Sequence, residues 1–549
     1  MPTVTLNKTV LEKLIGRKLS LEKLKDRISY LGTDLEGVEG NEITVEVFPN
    51  RPDLLSEQGL GRALASFIGA KKGLKKYSVN NSGESIIVEK AVKTVRPFTV
   101  GAIVKNLKLD DEKIRELIQI QEKLHVSFGR NRKKVAIGIY PMENISMPIT
   151  YTAKKPSEIV FRPLEAEREM NAKEMLSEHS AGREYGHLLD GCDVFPVFID
   201  SEQRVLSVPP IINSDETGKI TADTKEAFIE FSGHNLESLQ KGLNMLVTCL
   251  ADMGGSIYSM KIVDGTKKLI TPDLNPEKMN LDVRYVNKRL GLELGDKEVK
   301  NLLERMGYGV DGKQVLVPAY RSDVIHMVDL IEDIAIAYGY ENFNEEIPKV
   351  ATIGSEDQFE LFKNKIATLL IGLKMTEVIT FHLCNKDVQN TKMKTVLPLV
   401  EVKNPATLEY NMLRAWMIPS LMDVLAGNKH NEYPQEIFDI GSIFKQDAKE
   451  ESGILEHQRL GVVVAKDKMD YTKIKQVLEY LLRNIGIEFE VEETNHESFI
   501  EGRVGRVIVG GKKIGYVGEI SPKVLDNFSL ETPVGALELN LTELYEIIS

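Results

Sequence analysis

The residues best suited to chemistry lie in YRSDVIHMVDLIEDIAIAYGY, from Tyr320 to Tyr340. Asp323 ends a loop, and Asp329, Glu332 and Asp333 follow at steps of six, three and one. Residues at i, i+3 and i+4 share a helix face, so the spacing predicts that the last three carboxylates converge, with Asp323 reaching them from the preceding turn. Between Ser322 and Lys349 no Lys or Arg intervenes, while Glu341, Glu345 and Glu346 add further acids. Hard oxygen donors without cysteine suit magnesium or calcium rather than zinc, and the lack of an alternating Asp-Gly calcium loop favours magnesium. The same run also reads as a solvated acidic helix face, the usual condition of clustered charge.

Two basic clusters could neutralise phosphates through their local field. Lys71, Lys72, Lys75 and Lys76 form one; Arg130, Arg132, Lys133 and Lys134, in SFGRNRKKVAIG, form the other. Neither has the interleaved aromatics of a base-stacking surface, and ordinary exposed loops are the alternative. In NRPDLLSEQGLGR, from Asn50 to Arg62, two prolines set a rigid turn before a helix, and Arg51, Asp53 and Arg62 could pair across it as a structural corner. No phosphate loop, nucleophile elbow, zinc-protease helix or kinase motif set occurs. His382, in VITFHLC, reads as a satisfied core residue.

These residues need a scaffold, and the 549-residue length suits three or four domains. A hydrophobic fraction of 42% with 28% charged residues excludes wholesale disorder or a fibrous repeat. Three cysteines, at 192, 249 and 384, are too scattered for a disulfide framework or a Cys-based zinc site. The start MPTVTLNKTVLEKLIGRKLS shows no apolar core with a cleavage site, and no run of about 18 apolar residues follows anywhere, so no membrane contact and a cytoplasmic location are expected. The net charge of −12 argues against coating a nucleic acid but leaves room for local basic patches.

Periodicity predicts a small α+β unit at the start, with a half-buried strand at Ile43, Val45 and Val47 and a helix beginning near Ser56. Residues 71–85 read as a linker or exposed loop. Strands FTVGAIV, KVAIGIY, PVFID and FIEFSG alternate with two long helices between 96 and 265. The order helix, helix, strand, helix over 268–345 suits a helix-turn-helix or winged unit, with Gly307 and Gly339 ending helices. The remainder, 355–549, mixes strands with helices around 358–372, 411–427 and 470–485.

Six segments, in order over nearly the whole chain, resemble the beta subunit family of phenylalanyl-tRNA synthetase in its shorter archaeal form. They are NRPDLLSEQGLGRAL, GRNRKKVAIGIY, YRSDVIHMVDLIEDIAIAYGY, LRAWMIPSLM, EIFDIGSIF and IGYVGEISPKVL. The resemblance implies an α+β multidomain fold. Its parts are an N-terminal α+β domain and linker (1–95), a tRNA-editing-like domain (96–265), a winged magnesium-binding domain (268–345) and a non-catalytic class II synthetase-like antiparallel-sheet domain (355–549). It implies an α2β2 heterotetramer with an alpha subunit that holds the active site and, with ATP as substrate, attaches phenylalanine to its tRNA. The last domain agrees: class II catalysis needs arginines on the ATP phosphates. EIFDIGSIF offers Asp439 and Ser442, and ETPVGALELNLTELY offers Glu538 and Asn540, without an arginine in either segment.

Two sites carry over by resemblance. The family's magnesium ligands, shared with the alpha subunit, match Asp323, Asp329, Glu332 and Asp333. Its site for hydrolysing tyrosine misattached to tRNA matches Phe198, Ser207, Glu230 and Ser232. Editing is sensible because an apolar pocket rejects an added hydroxyl only modestly. At the last two positions the family pattern is Asp and Thr, and Tyr140 stands where a His is usual, so these are departures. The competing readings are a scaffold and RNA-binding subunit without editing, and a freestanding tRNA-proofreading hydrolase.

Overall fold

The structure, a computed structural model, describes residues 2–347 and 354–549, so the end of the acidic window at Lys349 lies outside it. Its contacts divide the chain at residue 347 into two compact units.

The first unit opens with a three-stranded antiparallel sheet in which Glu42–Glu46 lies between Thr3–Asn7 and Asp34–Glu39. Val4, Leu6, Ile43 and Val45 alternate with polar neighbours and are buried, as a one-sided sheet requires. Helix Glu57–Phe67 starts where Ser56 accepts a hydrogen bond from the Gly59 amide at 2.9 Å. Gly61 lets this helix press on Lys8–Ile15: a methyl group there would sit 2.7 Å from the Leu14 side chain.

A mixed sheet follows, with the strand path 212–213, 205–208, 195–199, 149–154, 79–88, 256–264, 98–105, 227–233, 135–141. The expectation of a loop over 71–85 is corrected here. From residue 79 the chain is the strand Val79–Val88, parallel to both Ser256–Asp264 and Ile149–Lys154. Its polar start, VNNSGE, carries no strand pattern; the neighbours that pair with it are long-range. Helices Asp111–Val126 and Leu236–Asp252 pack on the sheet through Leu117, Ile120 and Leu124 and through Leu239, Leu243, Leu246 and Leu250, all buried. Spacings of three and four put each set on one helix face, and each such side chain contributes about 1.5–3 kcal/mol.

The next region contains helices Val283–Leu290, Asp296–Arg305 and Met327–Tyr338 beside a three-stranded antiparallel sheet. Its centre is Gln314–Val317, as the sequence suggests; the flanking Glu277–Asn280 and Gly309–Asp311 are too short to announce themselves. Gly307 and Gly339, both at positive φ, end their helices as expected.

The second unit is a seven-stranded sheet with Thr376–Glu377 parallel at one edge and every other pairing antiparallel. Its two faces serve different cores. Phe438, Leu460, Val462 and Val464 pack with helices Gln358–Gly372, Tyr471–Asn484 and Leu541–Ile548, while Ile437, Val463 and Ala465 pack with Ile418–Gly427 and Pro522–Asn527. The helix expected over 411–427 begins only at Ile418, because Pro419 is tolerated in a first turn but not inside a helix; Met412–Leu413 is a strand instead. Gly510 and Gly511, both at positive φ, close the hairpin between Phe499–Val509 and Lys512–Ile520.

Candidate functional site

The large sheet of the first unit brings Glu230 and Ser207 to one cavity of about 510 Å³, with Asn213 and apolar walls that include Ile137, Ile139 and Ile211. Glu230 comes from strand Ala227–Gly233, opposite Gly138 of the adjoining strand. Ser207 comes from Val205–Val208, opposite Phe198 and Asn213. Tyr140 joins them. Its hydroxyl lies 2.8 Å from Ser207 Oγ, 3.3 Å from Glu230 Oε1 and 3.4 Å from Asn213 Oδ1. One hydroxyl proton cannot serve three acceptors at once, so Ser207 or a protonated Glu230 can donate to the Tyr140 oxygen instead.

Glu230 is 2% exposed, and its Oε2 has no hydrogen-bond partner. Burial pushes its carboxyl up to about 8, against the opposing pull of Arg96 and the Tyr140 hydroxyl. Such a carboxyl changes charge close to neutral pH, the range in which a general base works best. Gly138 makes room for the pair: a methyl group there would stand 2.1 Å from Tyr140 Oη and 2.6 Å from Glu230 Oε1.

The other two residues of the expected set do not line the cavity. Phe198 is fully buried behind it, stacked on Tyr151 with ring centroids 4.2 Å apart. Ser232 accepts from Arg96 Nε at 3.2 Å, and its carbonyl accepts from Arg96 Nη2 at 2.6 Å. Arg96, itself 3% exposed, and Asn213 belong to this neighbourhood without having been legible in the sequence. Arg132 of the second basic cluster lines the same cavity, its guanidinium 4.2 Å from the Tyr185 ring and bonded to the Ile211 carbonyl.

The acidic segment is arranged differently from its spacing. Asp329 Oδ2 accepts the amides of Ile325 and His326 at 2.8 and 2.7 Å and so caps its own helix. Glu332 is exposed, whereas Asp333 is buried and accepts from Tyr308 at 2.5 Å. Arg321, one residue before the lysine- and arginine-free window, clamps Asp323 through Nε and Nη2 at 2.8 and 2.6 Å and reaches Asp333 at 2.8 Å. As placed, the four carboxylates do not make a single ion's donor set, and a guanidinium balances two of them. Among the described residues the only trio of close donors is Asp34, Glu36 and Glu46.

In the second unit two arginines, absent from the two expected segments, arrive from elsewhere, Arg414 just after strand Met412–Leu413 and Arg459 from strand Ile454–Ala465, and both are already paired. Arg414, 1% exposed, bonds the Ser442 carbonyl at 2.7 Å and lies 3.3 Å from Asp439; Arg459 bonds Glu538 at 2.7 Å. Glu538 also accepts the Met417 and Ile418 amides. His382 is exposed rather than part of a core, a correction that extends to its neighbours: Ile379 is 94% and Phe381 75% exposed. Alternation places these two and Leu383 along one groove of about 410 Å³ with Tyr410.

Three family descriptions match the chain: "Phe-tRNA synthetase beta subunit B1 domain" over residues 1–70, "tRNA synthetase B5 domain" over 279–340 and "Phenylalanyl tRNA synthetase beta chain CLM domain" over 344–541. The phenylalanine-tRNA ligase beta subunit of Pyrococcus abyssi is 42% identical, covering 100% of both chains. That of Archaeoglobus fulgidus is 38% identical over 100% of this chain and 99% of its own. The crystal structure of an N-terminal fragment of the phenylalanyl-tRNA synthetase beta-subunit from Pyrococcus horikoshii is 42% identical and superposes with a TM-score of 0.60, covering 62% of this chain and 100% of the fragment. Identity of this order from end to end means that the chain belongs to the archaeal-type phenylalanine-tRNA ligase beta subunit family.

Proposed function

We propose that this chain acts in a phenylalanine-tRNA ligase as the subunit that does not make the aminoacyl bond, and that it removes mischarged tyrosine from the tRNA for phenylalanine. The observation that carries the editing reading is Glu230, a buried carboxyl with one unpartnered oxygen, facing Ser207 across a cavity of about 510 Å³. In this reading the ionised carboxylate takes a proton from water as the water oxygen bonds to the ester carbonyl carbon. The bond from that carbon to the ribose oxygen then breaks, the ribose oxygen takes the proton back, and tyrosine leaves. Ser207 and Asn213 offer polar contacts for the hydroxyl that distinguishes tyrosine, a stronger basis for discrimination than the apolar walls alone. Tyr140 positions both groups, and Gly138 positions Tyr140.

A catalytic alpha partner is supported by two features of the second unit. Two of its arginines, Arg414 and Arg459, are spent on Asp439 and Glu538 rather than free for ATP phosphates, in keeping with a class II synthetase-like domain without chemistry. Its groove of exposed Ile379, Phe381 and Leu383 is the apolar surface that a companion chain covers in an α2β2 assembly, for which ATP is substrate. Three free cysteines suit a reducing cytoplasm, and among the described residues no helix is long and apolar enough to cross a membrane. Magnesium at Asp323, Asp329, Glu332 and Asp333, shared with that partner, is a reading for the assembled complex alone, favoured by the exposure of Glu332; in this chain Arg321 already balances Asp323 and Asp333.

The test is deacylation of tyrosyl-tRNA for phenylalanine by the assembled complex, parent against Glu230→Ala. Hydrolysis that the substitution abolishes supports editing; no hydrolysis above background returns the scaffold reading, and full hydrolysis by this chain without a partner returns the freestanding hydrolase.

A further inference from the structure

Apart from the Glu230 cavity and bordering the acidic segment through Arg321, the first unit holds a second cavity, of about 450 Å³, where the Asn50–Arg62 corner, the lysine-rich segment and the 306–321 stretch meet. Three guanidiniums line it, from Arg51, Arg62 and Arg321. Four ammonium groups, from Lys13, Lys71, Lys72 and Lys75, complete a wall whose only carboxylates are Asp53 and Asp252. Lys75 shares Asp252 with Arg62, so the seven cations meet four carboxylates, Asp53, Asp252, Asp323 and Asp333, and the excess of positive charge around one concave space favours an anion.

The arginines are built in rather than draped over the surface. Arg51 and Arg321 are 6% and 2% exposed. Arg51 clamps Asp53 through Nε and Nη2 at 2.8 Å each, which leaves its Nη1 edge without a carboxylate. Arg321 holds Asp323 and Asp333 in the same way, and its Nη1 is buried with no hydrogen-bond partner at all. Arg62 lies flat on Tyr320, 4.0 Å from the ring, with Nη1 on Asp252 at 2.5 Å. Burial and the neighbouring Arg321 both work against the charge of Arg51, and Asp53 outweighs them. Lys71 spends its ammonium only on the Leu14 carbonyl, at 3.1 Å.

We infer that this cavity binds a small molecule carrying one or more phosphate groups. Planar guanidiniums and ammoniums are the groups that recognise phosphate, and the volume lies in the range of small-ligand sites. Leu14, Ala63, Leu74 and Met306 supply apolar wall for the rest of a molecule of nucleotide size. An RNA strand fits less well: the cavity is enclosed by three segments, and its aromatic face at Tyr320 is already covered by Arg62, leaving no ring for a base to stack on.

The full-length chain is titrated calorimetrically with inorganic pyrophosphate, with ADP and with tRNA for phenylalanine, at constant ionic strength. One site per chain for pyrophosphate or ADP is expected. Lys71→Glu, an exposed charge reversal, should weaken it by about tenfold or more. Lys288→Glu, an exposed lysine outside the cavity, should leave it unchanged. Arg321→Met gives a second arm, abolishing binding if it folds. The inference is overturned if neither small anion binds, if only tRNA does, or if Lys71→Glu has no more effect than Lys288→Glu.

Discussion

Replacing Glu230 by Gln keeps the side chain's shape but removes its charge, and the structure sets two effects of opposite sign. The carboxyl has an ordinary value of 4.5 and is pushed by burial to about 8 in the fold. A group whose folded value is raised gives stability that is fully present below the unfolded value and is lost as pH rises through the folded one. Between 4.5 and pH 7 that loss is about 3 kcal/mol, at about 1.4 kcal/mol for each pH unit. The neutral amide has no proton to give up, so Glu230→Gln should unfold at higher denaturant than the parent at pH 7 and match it near pH 4, in urea titrations of the complex followed by near-UV dichroism. Deacylation of tyrosyl-tRNA should meanwhile fall by about 10²- to 10⁴-fold, the usual contribution of a general base. In the parent the rate should climb with pH and level off above about 8, where the carboxylate predominates. A Gln variant that is less stable at pH 7 and still hydrolyses tyrosyl-tRNA at the parent rate would refute the role of Glu230 on both counts.

Three further outcomes are expected. Gly138→Ala should displace Tyr140 and Glu230, lowering deacylation at least about tenfold while phenylalanine attachment by the complex is unchanged, since the added methyl meets both side chains within 2.6 Å. Arg321→Met leaves Asp323 and buried Asp333 without their cation and should cost about 3–5 kcal/mol in urea unfolding; EDTA should not move the unfolding midpoint of the parent chain alone, and a drop on chelation would point to a bound metal instead. Ile379→Asp with Phe381→Ser should block association with an alpha chain in size-exclusion chromatography without changing the melting of this chain, because both side chains are exposed in the isolated fold.

Local signals were legible where local forces decide. Ser56 and Asp470 each cap a helix where the sequence places a start. Strand Val79–Val88 was not legible, because its polar half is held by partners far along the sequence, at 257–261. The acids of 323–333 were visible as a cluster, but adjacent helix positions point about 100° apart. Glu332 therefore faces solvent while Asp333 turns inward to an arginine just outside the window. Around the Glu230 cavity, Ser207, Glu230 and the unusual Tyr140 stood out by resemblance. Asn213 and Arg96 did not, since only the closing of the sheet brings them near.

Phenylalanine attachment by this chain with and without an alpha chain tests most directly whether it is a partner-dependent, non-synthetic subunit. Co-expressed and purified as one assembly, the pair should charge tRNA for phenylalanine with ATP, while this chain alone should form neither aminoacyl-adenylate nor aminoacyl-tRNA. Adenylate formation by this chain alone would contradict the pairing of Arg414 and Arg459 with Asp439 and Glu538 as the mark of a domain without synthetic chemistry.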